Sequence, residues 1–224
     1  MTMPADLLDT VTTGDARLLT ERIPDASIDL CFADPPYWVG YKYGNGRTDS
    51  HMDYLDPIWL VTELTRIAEV VCITPGIANI AHYPTPLWIL GWFKPASVGR
   101  SALGGFNTWE PILVYGKPKY RFWQDSIYLP VTNQVEAAFH TCPKPLDLLR
   151  WIIAGMTQEG DIVLDPVCGS GTTVVAAKQL HRHYIGFEID PDTAERARQR
   201  VALTQVPLPM EIPEQMQLLR EVTP

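Results

Sequence analysis

Ile28-Asp29-Leu30-Cys31-Phe32-Ala33-Asp34-Pro35-Pro36-Tyr37 is the stretch on which the reading of this chain turns. Its nearly continuous apolar run predicts a buried strand of a parallel sheet, and that strand delivers a carboxylate, a rigid turn and an aromatic ring to one point. The two prolines fix φ and carry no N–H, so carbonyls face the space beyond the strand. This combination suits chemistry on an amino group attached to a flat ring. Such an amine is a poor nucleophile because its lone pair is conjugated into the ring, and a catalyst must draw its hydrogens out of that geometry. Asp34 and the Pro35 carbonyl are the candidate acceptors, Tyr37 the candidate stacking face, and Pro36 completes the turn. A Pro-rich turn with a tyrosine lid is the plainer reading of the same four residues.

A second landmark lies far downstream. Asp161-Ile162-Val163-Leu164-Asp165-Pro166-Val167-Cys168-Gly169-Ser170-Gly171-Thr172-Thr173 predicts a strand, a glycine turn and a helix. Gly169 and Gly171 permit close backbone approach to a ligand where the first helical N–H groups are unpaired. A dinucleotide site wants a third glycine where Val174 stands, and no Lys follows as in a phosphate loop. Tyr184-Ile185-Gly186-Phe187-Glu188-Ile189-Asp190 then predicts another short strand ending in an acid, placed as a ribose-hydroxyl acceptor would be, with Asp190-Pro191 more simply read as the N-cap and first residue of a helix through Glu195 and Val201. A nucleoside without a pyrophosphate fits.

With both pieces in place, the chain resembles the S-adenosylmethionine-dependent amino-methyltransferases of nucleic acid, specifically the circularly permuted beta group of DNA adenine-N6 and cytosine-N4 enzymes. Gly14-Asp15 with Leu18, Ile23 to Asp29 and the Asp34 to Tyr37 tetrapeptide are similar to that group's opening. Trp109-Glu110-Pro111-Ile112-Leu113-Val114-Tyr115-Gly116-Lys117 is similar to its late strand, and His140-Thr141-Cys142-Pro143-Lys144-Pro145 to the motif before the glycine loop. Val167, where the family usually has Phe, and Cys142 depart from the pattern. The resemblance implies a doubly wound α/β sheet with helices on both faces and S-adenosylmethionine as cofactor. It implies that Asp15 meets the cofactor adenine, Glu188 the ribose, the Gly169 to Gly171 backbone the methionine part and Lys144 the cofactor end, with Asp165, Cys168, Ser170 and Thr172 lining the same loop. It implies a flipped base in duplex DNA as substrate, with Asp34 leaning toward adenine N6; RNA stays open. It also places the strand ending at Ala33 beside the strand ending at Asp165.

Composition agrees with one α/β domain over residues 1–204 and a C-terminal tail over 205–224. The 224 residues are 46% apolar, enough for a real core. No apolar run approaches a membrane span, and Met1 to Asp15 lacks a charged-then-apolar layout, so a cytoplasmic protein is expected. Cys31, Cys72, Cys142 and Cys168 show no Cys-x-x-Cys pairing and are expected as thiols, and His181 and His183 as surface residues rather than metal ligands. The intervening pattern predicts a helix from Asp56-Pro57 with Leu60, Val61, Leu64, Ile67 and Ala68 on one face, a strand over Val70 to Thr74, and a helix from Pro145 burying Leu148, Leu149, Ile152 and Ile153.

The net charge of −8 argues against a protein that coats nucleic acid. Lys94, Arg100, Lys117, Lys119 and Arg121 nevertheless crowd one stretch and form a candidate phosphate-contacting face, with solvated loop charges as the alternative. Residues 118–139 leave room for only a reduced target-recognition region. The loop from Trp38 to Tyr54, with Lys42 and Arg47, and the segment from Ser97 to Asn107 are the other candidates for reading sequence or walling a flipped base.

Overall fold

The computed structural model describes residues 3–37, 55–95, 97, 99, 101–120, 122, 124–131 and 144–206. The strands are β1 (Thr10–Thr13), β2 (Ile28–Ala33), β3 (Ala68–Ile73), β4 (Trp88–Phe93), β5 (Trp109–Gly116), β6 (Ser126–Tyr128), β7 (Ile162–Asp165) and β8 (His183–Glu188). The helices are α1 (Ala16–Leu19), α2 (Pro57–Ile67), α3 (Leu146–Met156), α4 (Thr172–Gln179) and α5 (Pro191–Leu203). The strands form an eight-stranded sheet in the order β1-β8-β7-β2-β3-β5-β4-β6, and only β5 runs against its neighbours.

β2 lies between β3 and β7, with Leu30 opposite Val70 on one side and Val163 on the other. Both of its faces are covered, which is why its sequence is apolar without alternation. Leu30 and Phe32 pack with Leu148, Leu149, Ile152 and Ile153 of α3 and Ala176 and Ala177 of α4. Cys31 and Ala33 pack with Leu60, Leu64 and Ile67 of α2. Each large apolar side chain buried this way contributes about 1.5–3 kcal/mol. The third cluster, Val11, Cys168, Val174, Ala194, Ala197 and Val201, locks α5 over the glycine turn.

Local signals set the helix starts. The Asp56 carboxylate accepts the Trp59 N–H at 2.8 Å with Pro57 in the first turn. Asp190 accepts the Thr193 N–H at 2.9 Å ahead of Pro191. Ala68, expected on the face of α2, instead opens β3: the chain leaves α2 directly into extended backbone at φ −122, ψ 146, and Ala68 pairs with Ile28. Part of the segment expected as a reduced recognition region is the edge strand β6, parallel to β4 with Gly91 opposite Ser126. Cys31, Cys72 and Cys168 are buried free thiols, and burial pushes the Cys72 thiol up to about 12. His183 is exposed and pairs with Asp9 at 2.8 Å, while His181 is half-buried. No helix among the described residues is long and apolar enough to cross a membrane. Cys142, the loop over 38–54 and the tail from 207 onward lie outside the described residues.

Candidate active site

Parallel strands that end together bring their last residues together. β2, β7 and β8 are successive in the sheet, so Asp34, Asp165 and Glu188 emerge at one carboxyl edge. β1 adds Gly14 and Asp15 to the same edge, since Thr13 pairs with Glu188 and the Gly14 N–H donates to the Glu188 carbonyl at 2.9 Å. The chain changes direction of travel across the sheet between β2 and β7, where such sheets open a crevice.

One half of the edge is an acidic turn around two glycines. Gly169 and Gly171 adopt φ of 51 and 82, a conformation that favours glycine. The Glu188 carboxylate accepts the Gly169 N–H at 3.0 Å and the Asp190 N–H at 2.8 Å, and Asp165 accepts the Val167 N–H at 3.0 Å. Burial, with added repulsion from Asp34 and Glu188, pushes the Asp165 carboxyl up to about 7, and burial also raises Glu188. These are carboxyls in want of positive charge. Asp15 caps α1 and is gripped by the Arg17 guanidinium at 3.0 Å, which holds its carboxyl below the usual range.

Three expected contributions to this half take a different form. A Cβ on Gly171 meets Ala197 of α5 at 3.1 Å and Val174 at 3.2 Å, so the missing side chain serves helix packing. The Cys168 thiol is turned into the cluster with Val11 and Val174, leaving its backbone for the turn. Ser170 and Thr172 are both buried and engage Arg200 of α5, whose guanidinium donates to the Ser170 carbonyl at 3.2 Å and to Thr172 Oγ1 at 3.0 Å.

The other half is built on Asp34. Its Oδ1 receives the Tyr37 hydroxyl at 2.7 Å, the Lys144 ammonium at 3.0 Å and the Thr74 hydroxyl. Among the described residues every bond to this carboxylate falls on Oδ1, and none reaches the Pro35 carbonyl. The Tyr37 ring rests on Gly76, where φ is 68 and a Cβ comes within 2.9 Å of the ring; Asn79 Nδ2 donates to the Tyr37 carbonyl at 2.7 Å. The Tyr37 oxygen also lies 2.8 Å from Glu110 Oε1 and 2.8 Å from Lys144 Nζ. Burial, then the Asp34 and Glu110 charges, push this phenol well above its usual value, so it acts as a neutral donor.

Lys144, expected at the cofactor end, therefore stands between Asp34 and Glu110. Burial opposes its charge, and the two carboxylates more than offset that, so it stays protonated. Lys94 is also drawn in: it is 9% exposed and pairs with Glu110 Oε2 at 3.4 Å, and so it is no free phosphate contact. Lys117 and Lys119 follow β5, which runs toward the amino edge. Lys117 N–H donates to the Glu69 carbonyl at 2.9 Å, and Lys119 bridges Asp29 at 2.9 Å and Glu69 at 2.8 Å, at the edge opposite Asp34. They do not join Lys94 in one face. Lys42, Arg47, Arg100 and Arg121 lie outside the described residues.

Glu110, Thr74 and Asn79 are the residues that sequence reasoning missed. Glu110 left a signal: an acid inside the apolar strand Trp109 to Tyr115 needs a buried partner. Thr74 and Asn79 left none.

A DNA methylase family model matches residues 115–199. The type II methyltransferase M.HindIII of Haemophilus influenzae is 51% identical over 53 residues, which is 24% of this chain and 17% of that protein. M.HinfI, a type II methyltransferase of Haemophilus influenzae, is 28% identical over 248 residues, covering 88% of this chain and 69% of that one. The crystal structure of the M1.HpyAVI–SAM complex matches with a TM-score of 0.67 at 22% identity, over 87% of this chain and 99% of that chain, a likeness of fold. In motif order, in the stretch that the family model matches and in fold, the chain is similar to the DNA methylases.

Proposed function

We propose that this chain transfers a methyl group from S-adenosylmethionine to the exocyclic amine of a flipped base in DNA, adenine N6 ahead of cytosine N4, as a cytoplasmic enzyme. The carrying observation is that the Asp34 tetrapeptide and the Asp165 glycine turn leave neighbouring strands at one edge, with Cys31 opposite Leu164. The donor set suits the cofactor: Asp165 and Glu188 are raised carboxyls that a cationic nucleoside relieves. Asp15 would hold its adenine, Glu188 its ribose hydroxyls, and the backbone of Gly169 to Gly171 its amino-acid part. Bound there, the cofactor supplies an electrophilic methyl on a sulfonium.

The chain's own residues do the rest. Asp34 Oδ2 and the Pro35 carbonyl each accept an N–H of the target amine, which turns its lone pair out of the ring plane. Tyr37 offers the ring of the base a stacking partner and orients Asp34 through its hydroxyl. Methylation leaves one proton too many on the nitrogen, and Asp34 is the acceptor in place to take it. Lys144, firmly protonated, is not.

Nucleoside mass spectrometry of duplex DNA, single strand and RNA incubated with the protein and cofactor tests this reading. N6-methyladenine in DNA is expected; N4-methylcytosine moves the assignment to the other base, and methylation of RNA alone overturns DNA as substrate. Asp34→Ala should lose about two decades or more of turnover while cofactor affinity stays within about tenfold. Comparable turnover by that variant removes Asp34 from the chemistry.

A further inference from the structure

Glu110 belongs to neither half of the site as the motifs describe it, yet it is 7% exposed at the carboxyl edge. A carboxylate withdrawn from water persists when it is paired and hydrogen-bonded. Burial pushes its carboxyl up, and Lys144 and Lys94 more than offset that, so it is ionised. Lys94 holds Oε2 at 3.4 Å and Lys144 holds Oε1 at 3.3 Å, with the Tyr37 oxygen 2.8 Å from Oε1. Lys144 is at the same time 3.0 Å from Asp34 Oδ1. One ammonium is thus shared between the carboxylate that must receive the target amine and a second carboxylate with no such duty.

We propose that Glu110 is a positioning residue for methyl transfer, acting through Lys144: it is the carboxylate onto which the Lys144 ammonium settles when the target amine takes its place at Asp34. This rests on the assignment of Asp34 as the amine acceptor. An ammonium held at Asp34 Oδ1 draws charge from the carboxylate and weakens Oδ2 as the acceptor of a neutral aromatic amine, so Lys144 at Asp34 acts against the substrate. Glu110 gives that cation a second partner already in contact, at 3.3 Å against 3.0 Å for Asp34, and Lys94 keeps Glu110 in place. Asp34 and Glu110 balance Lys144 and Lys94. With Glu110 neutral, two ammonium groups face one carboxylate, and Lys144 is driven fully onto Asp34.

The test uses the full chain, radiolabelled S-adenosylmethionine and unmethylated bacterial genomic DNA, with thermal midpoints and S-adenosylhomocysteine affinity measured on every variant. Glu110→Gln should lower kcat about tenfold or more, with cofactor affinity within about twofold. Glu110→Asp, which keeps the charge one methylene further back, should fall between Glu110→Gln and the native chain. In a Lys144→Met background, Glu110→Gln should cost less than about twofold, because the residue acts through that lysine. Native kcat in Glu110→Gln, or an equal loss in both backgrounds, overturns the proposal. Should Glu110→Gln fail to fold, Glu110→Asp decides, and native kcat in it is the overturning result. A native chain that methylates neither DNA nor RNA instead overturns the proposed function itself.

Discussion

The Tyr37 hydroxyl lies 2.7 Å from Asp34 Oδ1, so ring and carboxylate of the tetrapeptide hold each other in place. Sequence reasoning treats Tyr37 as a ring for stacking; the structure adds a hydroxyl that spends its bond on aiming the carboxylate. Tyr37→Phe should therefore keep stacking and lose aim, with turnover lowered about tenfold, in line with about 1.5 kcal/mol for a hydrogen bond to a charged group. Tyr37→Ala should lose considerably more. Steady-state kcat of the two variants separates the roles: native turnover in Tyr37→Phe denies the hydroxyl a part, and equal loss in both denies the ring one.

Gly171→Val should act on folding before it acts on the cofactor. The added side chain meets Ala197 and Val174 at the α4–α5 contact, and φ of 82 strains any β-branched residue. A lowered thermal midpoint of the cofactor-free chain is expected, by an amount corresponding to about 1–3 kcal/mol. A native midpoint with cofactor affinity lost restores the earlier view that this glycine clears space for a ligand.

The strand and helix pattern around Asp34, Asp165 and Glu188 was legible because burial on both faces leaves unbroken apolar runs, and caps such as Asp56-Pro57 and Asp190-Pro191 mark helix starts. The β2–β7 adjacency came from the resemblance, since nothing local to either strand specifies its partner. The site was legible where a motif is contiguous. It was not legible where side chains from β5, the turn after β3 and the start of α3 converge, because Glu110, Thr74 and Lys144 meet Asp34 only through strand order. The basic stretch misled for the same reason: Lys94 precedes the hairpin into β5 and Lys119 follows it, so they stand at opposite edges of the sheet. Proximity in sequence across an antiparallel strand is separation in space.

Asp165 should make cofactor binding pH-dependent. Its carboxyl stands at about 7 in the free protein against an ordinary 3.8, so between those values the folded chain holds a proton that the unfolded chain does not. Stability of the free protein should accordingly fall as pH rises through that window. A cationic ligand favours the ionised form, so affinity for S-adenosylmethionine should rise as pH approaches about 7 and level off above it, with a proton released on binding. Calorimetry at about pH 5.5, 6.5 and 7.5 in buffers of differing ionisation enthalpy checks both the trend and the proton. Asp165→Asn should flatten the profile; an unchanged profile in that variant assigns the titration elsewhere.

Lys119 should matter to stability and not to DNA. It bridges Asp29 at 2.9 Å and Glu69 at 2.8 Å, and Asp29 in turn accepts the Ile162 N–H at 2.8 Å, so the lysine steadies the amino ends of β2, β3 and β7 together. Those partners are part-exposed, and the pairs contribute no more than about 1 kcal/mol. Lys119→Gln should lower the thermal midpoint slightly. Because Asp34 and Glu188 emerge at the other end of these strands, the variant should leave the salt dependence of duplex binding where it was, alone or with Lys117→Gln. Fluorescence anisotropy of a labelled duplex at several salt concentrations measures this directly. A phosphate contact at either lysine would instead reduce the slope of log affinity against log salt by about 0.9 for each residue lost. That outcome would place nucleic acid against the amino edge, away from Asp34.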